Sequence, residues 1–118
     1  LMAAAGFMDL RRLPELFCGF RRRSATGPTL YPVACAPQAW AAAAPFALLQ
    51  SVLGLGFDAQ RRAVRFDRPR LPASLDELTI RQLGFDGGRC DVHLQRIGDE
   101  VAVDVAERRG DVEVVVRL

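Results

Sequence analysis

A glutamate in an apolar, irregular stretch is the residue best suited to chemistry in this sequence. Glu15 follows Pro14 and lies among Leu13, Leu16 and Phe17. A proline holds the residue before it in an extended backbone, so regular structure is expected to end ahead of Glu15 and to leave it in a loop. Partial burial among apolar side chains can position a carboxylate for general acid–base chemistry. A plain loop glutamate is the alternative that the residues alone leave open.

A second motif follows some twenty residues later, as Cys-Ala-Pro-Gln-Ala-Trp over residues 35–40. With the Leu-Pro-Glu-Leu element of residues 13–16, it resembles the closing segment of glycogen debranching enzymes, the amylo-α-1,6-glucosidase family. The resemblance is specific over residues 11–55. It is looser over residues 56–118, which are similar to the small β domain that follows the barrel in bacterial members. It implies an α+β chain, with the terminal helices of an (α/α)6-type barrel in residues 1–55 and a small antiparallel β sheet or sandwich in residues 56–118.

The resemblance also implies a role for Glu15 as the catalytic base of an inverting glucosidase that acts on α-1,6 branch points of glycogen or related α-glucans. It implies no cofactor and no metal. Such enzymes hold the general acid and the general base roughly 6.5 to 9.5 Å apart, so that a water fits between them. The acid would belong to an earlier barrel segment, since Asp9 lies in no recognised motif. The chain alone is therefore expected to be inactive.

Three further residues are candidates for substrate binding. Tyr31 and Trp40 are the only tyrosine and tryptophan of the chain. An aromatic ring stacks well on a sugar, although core packing is the commoner fate of a helical tryptophan. Gln38 could donate a hydrogen bond to a sugar hydroxyl or to the backbone of the Glu15 loop.

Composition excludes several other classes of protein. All sixteen basic residues are arginine and the net charge is only +2, which indicates a codon bias and gives little support to nucleic-acid binding. Arg21-Arg22-Arg23 opens a long loop and is interpreted as a solvated surface run, with a phosphate or substrate contact as the alternative. No apolar run reaches the length of a membrane helix. Three cysteines without metal-ligand spacing favour reduced thiols in the cytoplasm and no metal site.

The helical part is predicted from composition. Residues 1–12 carry a short helical pattern, and an Ala- and Leu-rich helix is predicted from Gln38 to Leu53, closed by Gly54. Pro45 is expected to bend that helix or to end its first half. Because the helix is apolar on nearly all faces, it needs more covering surface than 118 residues supply.

Alternation of apolar and polar residues replaces the alanine runs after Gly56. Short strands are predicted over residues 63–66 and 79–81, followed by three half-buried strands over residues 90–94, 101–105 and 112–116. Glycine-containing turns separate the last three strands, which predicts an antiparallel meander. His93 is expected on its solvent-facing side, without a catalytic role.

Other interpretations stay open at this point. The chain could be a stand-alone β interaction or carbohydrate-binding module whose helical N-terminus mediates self-association. A less favoured interpretation is an arginine-rich nucleic-acid binder with steeply salt-dependent binding. Since it starts at Leu1 without a charged leader, the chain is expected to begin inside a longer protein. In isolation it is expected to self-associate through its apolar helices, and a compact monomer with the helix folded back on the strands is the alternative.

Overall fold

The computed structural model describes residues 2–118, which form two compact units, one ending at Leu48 and one spanning Leu49–Leu118. The fold is mixed α+β, as predicted. The domain division predicted after residue 55 stays a prediction. The regular elements are the helices Met2–Ala5 (α1) and Ala39–Val52 (α2), a 3-10 helix Asp9–Arg11, and the strands Leu55–Asp58 (β1), Ala63–Asp67 (β2), Glu77–Phe85 (β3), Gly88–Ile97 (β4), Glu100–Gly110 (β5) and Glu113–Arg117 (β6).

The N-terminal unit buries few side chains. Among its described residues only Leu13, Pro14 and Ala41 are buried. The stretch around Glu15 is irregular, as predicted, and an antiparallel bridge between Phe17 and Leu30 closes the loop that follows it. This unit therefore has almost no hydrophobic core of its own.

Helix α2 lies within one residue of its predicted limits at both ends. Pro45 does not end it, although the proline lacks the N–H that would bond the carbonyl of Ala41. At the end of the helix, Gly54 adopts a left-handed φ of 57° and its carbonyl accepts a bond from the Asp67 N–H at 3.0 Å. Within residues 2–118, no helix has both the length and the apolar character needed to cross a membrane.

The C-terminal unit contains two three-stranded sheets. In the first, β2 lies in the centre, antiparallel to β1 and parallel to β6. In the second, β3, β4 and β5 form an antiparallel meander with β4 in the centre. Both central strands alternate between the core and the surface: in β4, Cys90, Val92 and Leu94 are buried, as the sequence predicts.

One predicted strand has a different partner. The strands over residues 90–94 and 101–105 pair antiparallel as expected, whereas β6 leaves the meander and pairs with β2 in the other sheet. The physical reason lies in β2, where Val64 and Phe66 are fully buried. The backbone N–H and C=O groups of a buried strand need hydrogen-bond partners, so β2 needs a neighbouring strand on each edge. Strand β1, which supplies one of those neighbours, was not predicted.

The two sheets of the C-terminal unit share one hydrophobic core. Its largest fully buried side chain is Phe66, and burial of a side chain of that size contributes about 1.5–3 kcal/mol. The core is formed by Leu53, Val64, Phe66, Leu71, Cys90, Val92, Leu94, Val101 and Val112. This unit therefore has a hydrophobic core of its own, as a folded domain requires.

Two arginines tie loops of the C-terminal unit to its sheets. Arg62 donates to the carbonyls of Asp86 and Asp111, pairs with the Asp111 carboxylate at 3.0 Å, and lies over the Phe85 ring. Arg96 donates from Nη2 to three carbonyls of the loop between β2 and β3. Composition gave no indication that these two differ from the other arginines.

Candidate functional site

The Glu15 loop is anchored by the residues just before it. Leu13 is 4% exposed and Pro14 is buried, so the backbone is fixed directly ahead of Glu15. Glu15 itself is half-buried. The carboxylate therefore emerges from a held backbone at the surface of the N-terminal unit.

Hydrogen bonds join the two motifs that the sequence singles out. The Glu15 N–H donates to the Cys35 carbonyl at 2.9 Å, and the Gln38 N–H donates to the Leu13 carbonyl at 3.3 Å. The Cys35 N–H in turn donates to Glu15 Oε2 at 3.2 Å. Segments twenty residues apart in the chain thus lie side by side, with the glutamate side chain bonded to the backbone of the second segment.

This arrangement fixes one oxygen of the carboxylate and leaves the other available. Within residues 2–118, the Cys35 N–H is the one donor that the Glu15 carboxylate accepts from. A carboxylate held through one oxygen has a defined orientation, and its second oxygen can accept a proton from a water or a hydroxyl. The geometry is compatible with general-base chemistry, and also with a purely local role in closing the loop.

The three candidate substrate-binding residues occupy different settings. Gln38 lies directly before α2, where its Oε1 accepts the Ala39 N–H at 3.1 Å, so this side chain caps the first N–H of the helix. Trp40 is 60% exposed and Tyr31 is 46% exposed, so neither ring is packed in a core. Both rings are open to a ligand or to another protein surface.

Other titratable residues do not extend the site. His93 lies on the outer side of β4, with Nε2 3.5 Å from Glu77 Oε2, and takes no part in the Glu15 region. The three cysteines are free thiols, and burial raises the pKa of Cys90. Over residues 2–118, no His, Cys, Asp or Glu side chains cluster in a way that could hold a metal ion.

A groove of about 400 Å³ lies at one end of the second sheet, near the turn between β3 and β4. Its charged side chains already have partners: Arg109 bonds Glu107, and Arg89 donates to Gln82 at 3.1 Å. The Asp91 carboxylate accepts the Gln82 N–H at 2.8 Å. The charged side chains of this groove are therefore held by neighbours, Arg109 by Glu107 and both Arg89 and Asp91 by Gln82.

Comparison with known proteins leaves the family undecided, since no family model, no curated protein and no solved structure matches this chain.

Proposed function

We propose that this chain is the carboxyl-terminal part of a cytoplasmic α-1,6-glucosidase of the glycogen debranching type, with Glu15 as its general base. The observation that carries the proposal is the bond from the Cys35 N–H to Glu15 Oε2, which connects the two motifs of the resemblance through the proposed catalytic side chain. The bond orients the carboxylate and leaves its second oxygen able to accept a proton.

The sparse core of the N-terminal unit also supports the proposal. Large apolar side chains stay exposed on it, among them Phe46 and Leu48 of α2. The terminal helices of an (α/α)6 barrel would have such surfaces, because the remaining helices of the barrel cover them. The general acid would come from that part of the enzyme, and the substrate would be a branched α-glucan.

The test replaces Glu15 in a polypeptide that includes the sequence upstream of Leu1. Glu15→Gln keeps an oxygen that can accept the Cys35 N–H but removes the base, so the fold should persist while hydrolysis of a branched dextrin falls about a hundredfold to ten-thousandfold. Glucose release measures the activity, and the thermal unfolding midpoint measures the fold.

Asp9→Asn is the matched control, because Asp9 is the other acidic residue of the N-terminal unit. We expect it to leave both measurements unchanged. Turnover by Glu15→Gln close to that of the unsubstituted enzyme would remove Glu15 from the mechanism. Glu15→Ala, which also loses the bond to Cys35, should lower the unfolding midpoint as well, and so measures the structural part of the role separately.

The self-contained core of Leu49–Leu118 favours a second candidate, a stand-alone β interaction or carbohydrate-binding module. The upstream sequence separates the two. Several hundred residues of alternating helical segments before Leu1 would support the enzyme, whereas a start codon directly before Leu1 would support the module.

A further inference from the structure

A second groove, of about 510 Å³, lies entirely within the N-terminal unit and does not include Glu15. Its volume falls in the range of small-molecule sites, roughly 300–1,000 Å³. Its lining combines arginines, two phenylalanine rings and threonines: Ala3, Ala4, Phe7, Cys18, Phe20, Arg21, Arg22, Arg23, Thr26, Gly27, Pro28 and Thr29.

The charge of this groove is not neutralised by neighbouring side chains. Arg21, Arg22 and Arg23 are all exposed, and none of them has a carboxylate within ion-pair distance in residues 2–118. The unit as a whole carries five arginines and only two acidic residues. By contrast, Arg109 in the groove of the C-terminal unit is paired with the Glu107 carboxylate.

Aromatic rings line the same groove. Phe7 lies against Gly27, where an added Cβ would be only 2.8 Å from its Cβ and Cγ atoms, and the ring is 54% exposed. Phe20, directly before the arginines, is 74% exposed and presents its ring to solvent. The hydroxyl-bearing side chains of Thr26 and Thr29 complete the lining.

We infer that this groove binds an aromatic organophosphate of the size of a nucleoside monophosphate. Guanidinium groups form paired hydrogen bonds with phosphate oxygens, which accounts for the unpaired arginines. Phenylalanine rings stack on a heteroaromatic base, which accounts for the open ring of Phe20. A bare anion would leave the rings unused and an uncharged aromatic ligand would leave the arginines unused. The inference does not depend on Glu15 or on glucan hydrolysis.

Three probes test the ligand chemistry by isothermal titration calorimetry on the 118-residue chain. AMP carries both features, adenosine carries only the base, and inorganic phosphate carries only the anion. We expect AMP to bind and each of the other two to bind at least about tenfold more weakly, since hydrogen bonds to charged groups or one stacked base account for that difference. Undetectable binding of AMP, or equal affinity for AMP and phosphate, would overturn the inference.

A pair of double variants tests the position of the phosphate. Arg21→Gln with Arg22→Gln should weaken AMP binding at least about tenfold, whereas Arg11→Gln with Arg12→Gln changes the charge equally within the same unit but outside the groove. The measurements belong at physiological salt, where charges more than about 8 Å apart are largely screened. If the control pair weakened binding as much as the groove pair, AMP would be responding to net charge alone, and the proposed site would be wrong.

A pair of single variants tests the position of the base. Phe20→Ala removes the open ring of the groove, and Phe46→Ala removes a ring that is equally exposed but lies on α2, outside the groove. The first should reduce AMP affinity about fivefold or more, as loss of one stacking partner does, and the second should leave it unchanged. Equal effects of the two substitutions would count against stacking in the groove.

Discussion

Arg96 holds the loop between β2 and β3 through a single guanidinium. Its Nη2 lies 3.0, 2.9 and 3.0 Å from the carbonyl oxygens of Leu71, Pro72 and Leu75, and its Nε lies 3.7 Å from the Asp76 carboxylate. Carbonyls of an irregular segment have no strand or helix to bond with, so a side chain must take that place. The side chain of one arginine thus supplies hydrogen bonds to the loop that a strand or helix would otherwise supply.

Replacing Arg96 with alanine should lower the free energy of unfolding. Arg96→Ala leaves the Leu71 and Leu75 carbonyls without this donor, while the Pro72 carbonyl keeps its bond from the Leu75 N–H. We expect a loss of about 1–3 kcal/mol of unfolding free energy, measured by urea denaturation. Arg81→Ala is the control, because Arg81 is exposed on β3 and lies outside every ion pair formed by residues 2–118, and such surface changes stay within about 0.5 kcal/mol. Equal losses in both variants would mean that the Arg96 bonds add no stability.

Cys90 should make stability fall at alkaline pH. Burial raises the pKa of its thiol, the charge of Asp91 raises it further, and Arg108 opposes the shift. The folded state therefore holds the proton more tightly than the unfolded chain. This stability is fully present below the unfolded pKa, about 8.5, and is lost as the pH rises through the higher folded value.

Comparison with Cys90→Ala isolates this effect. The variant differs from the parent chain only at Cys90, so a difference in slope between the two pH profiles belongs to this thiol. The free energy of unfolding is measured by urea denaturation at a series of pH values. Above about pH 8.5, where an unperturbed thiol ionises, it should decline less steeply in the variant than in the parent chain. This difference in slope is expected whatever stability the cavity left by Cys90→Ala removes at neutral pH. Parallel pH profiles would show that the thiol keeps its ordinary pKa.

At the scale of elements, the end of α2 depends on the absence of a side chain at Gly54. Its φ is 57°, and a Cβ there would collide with the Asp67 carbonyl. Helix and strand β2 meet through this backbone contact, which the Asp67 N–H to Gly54 carbonyl bond completes. The glycine therefore both ends the helix and permits the close approach.

Comparison of Gly54→Ala with Gly98→Ala separates the cost of the backbone conformation from the cost of the collision. Both glycines have positive φ, but a Cβ at Gly98 would meet no atom within 4 Å. Gly98→Ala should cost about 1–2 kcal/mol from the backbone conformation alone, and Gly54→Ala clearly more because the collision adds to it. Thermal unfolding midpoints provide the comparison. Similar shifts in both variants would show that the contact with Asp67 relaxes without cost.

Elements with a regular alternation of apolar and polar residues, or with a distinctive composition, were predictable from the sequence. Alternation placed Cys90, Val92 and Leu94 on the core side of β4, and composition with a terminal glycine placed α2. Strand β1 was missed because its residues, Leu-Gly-Phe-Asp, contain too few apolar positions to show a period. The partner of β6 was beyond prediction because alternation indicates which side of a strand is buried and not which strand lies beside it.

At the scale of the whole molecule, apolar exposure is concentrated in the N-terminal unit. Trp40, Phe46 and Leu48 are exposed on α2. We expect the isolated chain to self-associate through these side chains, because removing exposed apolar surface from water is favourable. Sedimentation equilibrium should give a mass above 13.0 kDa at high micromolar concentration.

A charge placed at an exposed ring of α2 tests this expectation, and a charge on β5 is the control. Phe46→Glu should shift the equilibrium towards monomer, while Val105→Glu changes an exposed apolar residue of β5 and should leave the mass unchanged. A mass of 13.0 kDa for the unsubstituted chain at that concentration would contradict self-association and favour the compact monomer.

The candidate site was only partly predictable from the sequence. Its motifs indicated which residues matter, and the structure adds that Glu15 is bonded to Cys35 and that Gln38 caps its own helix. The bond between Glu15 and Cys35 does not follow from spacing, because it depends on how an irregular loop returns to its starting point, and the Gln38 bond depends on the residue at which α2 begins. The arginine cluster was interpreted as a solvated run, since its sequence does not show that Phe7 lines the same groove.

The parallel pairing of β2 with β6 has a consequence for folding during synthesis. Each residue of β2 pairs with one fifty positions later, from Ala63 with Glu113 to Asp67 with Arg117. At translation rates of about 5–20 residues per second, β6 follows β2 out of the ribosome by roughly 3–10 s. During that interval one edge of β2 is unpaired, and an open apolar edge is a template for pairing with other chains. Slow translation of the segment between the two strands should therefore lower the yield of folded protein, and a chaperone that shields β2 should restore it.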